Sequence, residues 1–457
     1  MIKYLFVVVI GLAGLQLAGC AVPLKGGFAD VEKLSADRMN QRISWIQGAA
    51  EDRLVEQKTD SLLAGELSVD AAVQIALLNN RSLQARYEEL GIAQAELVQA
   101  GLLHNPVFSA GVRFTTSPAP ERNTELGVVQ SFLDLLLRPA RKGVAAAQFE
   151  GAKRRVGEAV VNLAFETRRA AYTLQGSLGV VSMLRTIAEA ADASAELARR
   201  QREAGNISDL EMALQQAPYE RARMALVAGE AIVVEDRELL TRLMGLAGKQ
   251  TDWTLSDRLP DLPETDPVSD RAESLAVASR LDLAAMRWDI EALAQAHEIT
   301  VNWRFIPLID VGLDTEKDID GTRVTGPSVA IEVPLFDRGQ AKVARSEAAL
   351  RQAENQMKAL AVDITSEVRV TRNRLAVARS VAERYRNNII PLWEQIVAES
   401  QRHFNYMLVG AYQLLQARSD AVDAYRGYLE AVRDYWVAYS DLERAAGGQL
   451  TPAGVGP

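Results

Sequence analysis

The chain is poor in the residues that usually carry chemistry. It has one cysteine, Cys20, in 457 residues, so no intramolecular disulfide can staple the fold. Its three histidines, His104, His297 and His403, stand apart without ligand spacing, and His297-Glu298 does not extend into a zinc-binding helix motif. Gly245-Leu246-Ala247-Gly248-Lys249 lacks the spacing of a phosphate-cradling loop. Neither a nucleophile, a metal set nor a cofactor fingerprint is apparent, so no catalytic, cofactor-binding or metal residue is expected and an enzyme is disfavoured. Aromatic residues are only 6%, few for a compact enzyme core. The net charge of −9 argues against a nucleic-acid partner. Beyond the N-terminus no apolar run reaches 18 residues, so any membrane crossing falls to strands.

Many apolar positions are Ala among Glu, Arg and Gln, the composition of long packed helices. The N-terminus differs. Lys3 precedes an apolar stretch, Tyr4 to Ala18, too short to span a bilayer comfortably, and Leu17-Ala18-Gly19-Cys20 follows. This resembles a bacterial lipoprotein signal. It implies a signal peptide over 1–19, lipidation of Cys20 and an N-terminal arm over 20–66. Ala21 is not Asp, which by the same resemblance carries no mark for inner-membrane retention.

The remainder repeats. Ala76, Leu83 and Ala85 correspond to Ala276, Leu283 and Ala285, and Pro106 and Gly111 to Pro307 and Gly312. Further on, Asp134, Glu166 and Gly245 correspond to Asp337, Glu367 and Gly447. Repeat 1 is expected over 67–247 and repeat 2 over 268–447, with a Pro- and Asp-rich linker at 248–267 and a tail at 448–457.

Each copy opens with a helix, the first over 68–103 with Ser68 as N-cap. Two alternating segments follow, the period-two signal of strands, at about 107–115 and 124–132, then at about 306–315 and 324–333. Phe108, Ala110, Val112 and Phe114 share one face, with Ser109, Gly111, Arg113 and Thr115 opposite; Ile309, Val311 and Leu313 alternate with Asp310, Gly312 and Asp314. The loop between the second pair is expected over 315–323. These strands have the length that crosses a bilayer when tilted. Long helices are expected at about 139–204 and 338–405, the first opening on Pro139 at N1 and the second kinked or interrupted at Pro391. Turns lead into return helices at about 209–247 and 411–447. The second return carries a seam, Leu414, Ala417, Ala421, Ala424, Tyr428, Ala431, Tyr435, Ala438 and Leu442, at alternating spacings of three and four.

Two hairpins per chain cannot close a barrel, which takes about eight strands even when filled. Open strand edges in lipid leave backbone groups unpaired, so a shared barrel and a cyclic oligomer are expected.

The run Val333-Pro334-Leu335-Phe336-Asp337-Arg338-Gly339-Gln340 resembles the strand-to-helix signature of the TolC-like outer membrane efflux proteins. Asn105-Pro106-Val107-Phe108-Ser109 resembles their first strand entry, and Leu408-Val409-Gly410-Ala411-Tyr412-Gln413-Leu414 their periplasmic tip. The resemblance covers about 67–447. It implies a mainly α fold with a small β part: duplicated helical hairpins forming a periplasmic α-barrel, and four strands per chain joining a 12-stranded outer-membrane β-barrel in a homotrimer. It also implies outer-membrane lipid, a periplasmic adaptor and an inner-membrane pump as partners, and a passive exit duct as function. Gly205, Asp209, Gly410, Gln413 and Gln416 then mark the tips and gate; Asp134, Pro139, Pro334, Asp337 and Gly339 mark the strand-to-helix junctions. Two departures stand out. The first junction reads Ser131-Phe132-Leu133-Asp134 rather than Pro-Leu-Phe-Asp. Where some relatives carry aspartate rings after the second tip, this chain has Gln413 and Gln416. The competing readings are a lipid-anchored periplasmic coiled-coil adaptor without a pore and, more weakly, a periplasmic lipoprotein enzyme.

Replacing Cys20 with Ala is expected to abolish incorporation of labelled palmitate; label retained on the variant rejects the lipidation assignment.

Overall fold

The computed structural model describes residues 22–39, 41–114, 122–266, 271–306 and 308–450. The signal peptide, Cys20, Thr115, Pro307 and most of the tail lie outside them. The chain divides into two compact units. The first comprises Met1–Val31, Tyr87–Val156 and Leu281–Leu360; the second comprises Glu32–Arg86, Gly157–Arg280 and Ala361–Pro457.

The elements run α1 Phe28–Met39, α2 Ala49–Leu63, β1 Glu66–Leu67, α3 Val69–Asn79, α4 Arg81–Ala100, β2 Val107–Phe114, β3 Arg122–Ser131, α5 Phe132–Glu203 and α6 Asp209–Met244. After the short β4 Thr254–Leu255 come α7 Ala272–Ser279, α8 Leu281–Trp303, β5 Ile309–Lys317, β6 Arg323–Ile331, α9 Gln340–Arg384, α10 Ile390–Asn405 and α11 Ala411–Ala446. The fold is mainly α with a small β part.

In the first unit β2, β3, β5 and β6 form one antiparallel sheet in that order. The hairpin strands of the two repeats therefore join through β3 and β5, and β2 and β6 are left as edges. Helices of the same unit are tied by ion pairs: Arg155 reaches both carboxylate oxygens of Asp289 at 2.8 Å, and Lys153 bridges Asp30 and Glu150.

The second unit holds the cores. Leu67, Ala72 and Ile75 pack with Ala171 and Leu174 of α5 and with Leu240 and Met244 of α6. The segment after α6 is strapped across these helices by side chains donating to its carbonyls. Gln175 donates to Arg258, Trp436 to Pro260 and Arg379 to Pro263 and Glu264, while the Tyr435 hydroxyl donates to Asp266 at 2.7 Å. Seven seam positions of α11 are buried; Ala421 and Tyr428 are half-buried. Small knobs of this kind let neighbouring helices approach closely.

The duplication is visible in the way each return helix ends. α6 stops at Gly245 (φ 67°) and α11 at Gly447 (φ 84°), both left-handed. The loose carbonyls at each end are met from the break between a repeat's first two helices. Asn79 and Asn80 donate to the carbonyls of Gly245 and Leu243, and Ser279 donates to that of Ala446. That break corrects the single helix expected over 68–103: Asn80 leaves helical backbone (ψ 116°) and caps the next turn, its Oδ1 accepting from the Leu83 amide.

Other boundaries also differ. The loop expected at 315–323 shrinks to 318–322, because Asp318 and Thr322 close a turn through Gly321 (φ 85°) and pairing continues to Lys317 and Arg323. The other end of β6 stops at Ile331, and Pro334 with the Val333–Leu335 turn takes the chain out of the sheet. α5 begins at Phe132, seven residues before the expected start, so Pro139 lies inside it rather than at N1. The helix over 338–405, expected to kink or break at Pro391, carries a π turn, Tyr385–Ile389, just before that residue. There the Ile390 amide reaches back to the Tyr385 carbonyl, the accommodation a missing Pro donor calls for.

Gly245→Ala places a Cβ 2.8 Å from the Asn79 carbonyl oxygen at positive φ. It is expected to destabilise the second unit by about 1 kcal/mol or more, read as a lowered urea midpoint. Gly410→Ala, with open space around it, is the control.

Candidate functional site

The tips are built by helix-end chemistry. At the first, α5 ends through Gly205 (φ 77°), whose amide bonds the Arg202 carbonyl, while the Asn206 amide bonds that of Gln201. Ser208 then starts α6 with a reciprocal capping box: its Oγ accepts from the Glu211 amide at 3.2 Å and Glu211 accepts from the Ser208 amide at 2.7 Å. Asp209 lies in that first turn, where the helix dipole favours a carboxylate. It pairs with Arg202 across the turn, and the Arg202 hydrogen bond holds its carboxyl below the usual range. The Glu211 carboxyl is likewise lowered, by the Ser208 amide and hydroxyl.

The second tip is made differently. Gly410 is extended (φ −81°) and is the N-cap of α11, with Gln413 accepting its amide at 3.3 Å. The left-handed residue is Met407 (φ 57°), 93% exposed between Tyr406 and Leu408, which are also exposed. Sequence reasoning missed it because glycine is the usual signal for that conformation. Gln416 donates to Asp420 on its own helix. The two hairpins meet through Tyr412, whose hydroxyl donates to Gln201 at 2.6 Å. No pattern in the sequence links those two positions.

The junctions are equally unlike. Asp134, in the first turn of α5, is held by His104 and by Arg141 at 3.0 Å. Its counterpart Asp337 instead accepts the Gly339 amide at 2.8 Å in a turn that precedes α9. Gly339 is left-handed (φ 73°) and lies against the Arg304 side chain, with Pro334 upstream. Helix-forming Leu133–Leu137 allows a direct strand-to-helix passage in the first copy, where Pro334 and Gly339 forbid it in the second.

The sheet carries a large exposed apolar face. Phe108 (78%), Phe114 (71%) and Val329 (63%) are among its side chains, and no described element covers them. Such a face marks a membrane or partner contact.

Two hairpins of about bilayer length, each set in the sequence between long helices and joined in one sheet, are the arrangement of outer-membrane channel proteins. Residues 72–246 match the family described as outer membrane efflux protein. The cobalt-zinc-cadmium resistance protein CzcC of Cupriavidus metallidurans is 24% identical over 392 residues, 84% of this chain and 91% of that protein. A membrane protein from Pseudomonas aeruginosa has the same fold at a TM-score of 0.71, with 17% identity, 83% of this chain and 92% of that one covered. The Campylobacter jejuni CmeC outer membrane channel aligns at 0.70, with 15% identity and 92% of both chains covered. Part of the chain thus matches the outer membrane efflux proteins, and these similarities support an efflux channel component in the outer membrane.

Ser208→Ala removes one half of the capping box. Amides of residues 209–212 are expected to exchange roughly fivefold faster, as loss of about 1 kcal/mol implies; unchanged exchange rejects the cap's role.

Proposed function

We propose that three copies of this chain form a passive exit duct with no catalysis of its own, coupled through an adaptor to an inner-membrane pump. The observation that carries this reading is the four-stranded sheet with an apolar outer face and two open edges. Its strands are 8, 10, 9 and 9 residues long, close to the 9–11 of tilted outer-membrane strands. Edges of that kind are not tolerated in hydrocarbon, and pairing β2 of one copy with β6 of the next removes them all. Three copies of four strands give twelve, wide enough for a lumen. Energy for export then comes from the pump.

The unlike tips are the proposed gate and adaptor-docking end. Asp209 with Arg202 holds the first turn closed, and Tyr412 on Gln201 joins the hairpins. Cys20 is the proposed lipid anchor. The name of the Cupriavidus relative concerns cobalt, zinc and cadmium, and we propose divalent metal cations as the cargo here. An adaptor lacking a pore is the weaker alternative, because the apolar sheet face would then have no partner.

Detergent-extracted protein is expected to be trimeric and to conduct ions in planar bilayers. A soluble, non-conducting monomer after Cys20→Ala supports the adaptor instead. Asp209→Lys, or Gly410→Trp, is expected to reduce metal export while leaving barrel insertion intact; export indifferent to both rejects the tip assignment.

A further inference from the structure

The apolar face of the sheet changes character in order from one end to the other. Its pairs across β5 and β6 run Ile309–Ile331, Val311–Val329, Leu313–Pro327, Thr315–Thr325 and Lys317–Arg323. β3 follows the same order. Val128 lies beside Leu313, Leu126 beside Thr315 and Thr124 beside Lys317, with Arg122 one step further out on the same face. Every charge on this face is therefore cationic and lies at the hairpin-turn end. The strands carry no charge on it at the other end. The polar side chain there, Gln130, is satisfied by donating to the His104 carbonyl at 3.0 Å.

Arg122, Lys317 and Arg323 are exposed and form no ion pair among the described residues. Arg113, on the opposite face, is by contrast held by Glu125 at 2.9 Å. Asp318 and Asp320 are near in sequence, in the turn from β5 to β6, yet their carboxylates accept the Ile319 and Thr322 amides. Lys317 stands directly across from Arg323. Like charges so placed repel and destabilise a sheet unless an anion lies between them. Arg122 is diagonal to Lys317, about 7–8 Å away, so the cations form one patch. The level of the patch is a second, independent observation. From Ile309 to Lys317 the strand rises about 27 Å, which a tilt of ~40° reduces to about 20 Å along a membrane normal. The apolar band of outer-membrane barrels is about 25 Å tall. With the isoleucine pair near one boundary of the hydrocarbon, the cations stand at the other, among headgroups. Thr315 and Thr325, bonded to each other at 2.8 Å, mark the transition.

We propose that Arg122, Lys317 and Arg323 bind the phosphate groups of an anionic lipid in the membrane leaflet on the hairpin-turn side. This rests on the reading that the sheet lies in the outer membrane with its apolar face in lipid. An Arg guanidinium takes two phosphate oxygens in a fork, and the Lys ammonium adds a compact point charge. A phosphate between Lys317 and Arg323 turns their repulsion into two attractions. The occupant is a lipid rather than free phosphate because the patch continues the apolar face. Val112, Leu126 and Leu313 are about half exposed directly beside it, where acyl chains can lie while the headgroup meets the cations. A free anion gains nothing from that surface. The asymmetry also selects the leaflet, since the helix-proximal end of the same face offers headgroups no cation.

The experiment is lipid retention by the detergent-extracted protein, read by native mass spectrometry. The probes are diphosphoryl lipid A, zwitterionic phosphatidylcholine and, as competitor, inorganic phosphate. Wild type is expected to retain lipid A severalfold over phosphatidylcholine and to keep it against excess inorganic phosphate. Arg122→Gln/Lys317→Gln/Arg323→Gln is expected to bring the two lipids to equal occupancy. Lys317→Gln alone is expected to raise the melting temperature in phosphatidylcholine nanodiscs, by relieving the repulsion, and to lower it in nanodiscs containing lipid A. Opposite shifts in two lipids are a result that misfolding cannot mimic. Equal retention of both lipids by wild type, an unchanged preference in the triple variant, release of lipid A by inorganic phosphate, or shifts of the same sign for Lys317→Gln each overturn the proposal and leave the duct reading standing. Protein that enters no bilayer overturns the duct reading and this inference with it.

Discussion

Two rows of backbone donors and acceptors, on the outer sides of β2 and β6, govern what this chain must do. In water they would be solvated. In hydrocarbon each unpaired group costs several kcal/mol, and the apolar face of the same sheet directs it toward hydrocarbon. The chain has no third hairpin with which to close on itself among its described residues. In the proposed duct the constraint passes outward to other copies, so that assembly would be required by hydrogen bonding rather than by any one side chain.

The helical part meets a second constraint, that of long helices whose ends must be satisfied. Left-handed Gly245 and Gly447 end the two return helices in the same way, each received by the break between its repeat's first two helices. The duplicated pattern is thus conserved in chemistry although Asn79 and Asn80 have become Ser279 and Arg280. Elsewhere the copies have diverged. One long helix is unbroken from Phe132 to Glu203, while the other carries a π turn beside Pro391. One tip turns on a glycine and the other on Met407.

Much of this was legible in the residues. Alternation along Phe108–Phe114 and Ile309–Leu313 identified strands and faces, because side-chain period two is a property of extended backbone. The heptad seam of α11 was legible for the same reason with a different period. The errors fell at ends. Pro139 read as a helix start, yet Leu-rich 133–137 extended the helix upstream of it; Asn80 looked helical but serves as a cap; and the loop after Thr315 was shortened by a turn at Gly321. Local propensities there are close in energy, and contacts from elsewhere decide between them.

By itself the sequence determined the duplication, the strand and helix periods and the alternation of apolar and polar faces. All of these depend on neighbours along the chain. Only the tertiary structure decided that β3 pairs with β5, that Gly127 faces Asp314 across that pairing, that Tyr412 reaches Gln201 and that Asp134 meets His104. Those pairings join residues far apart in sequence. Their partners are chosen by register and packing, and no local pattern records them.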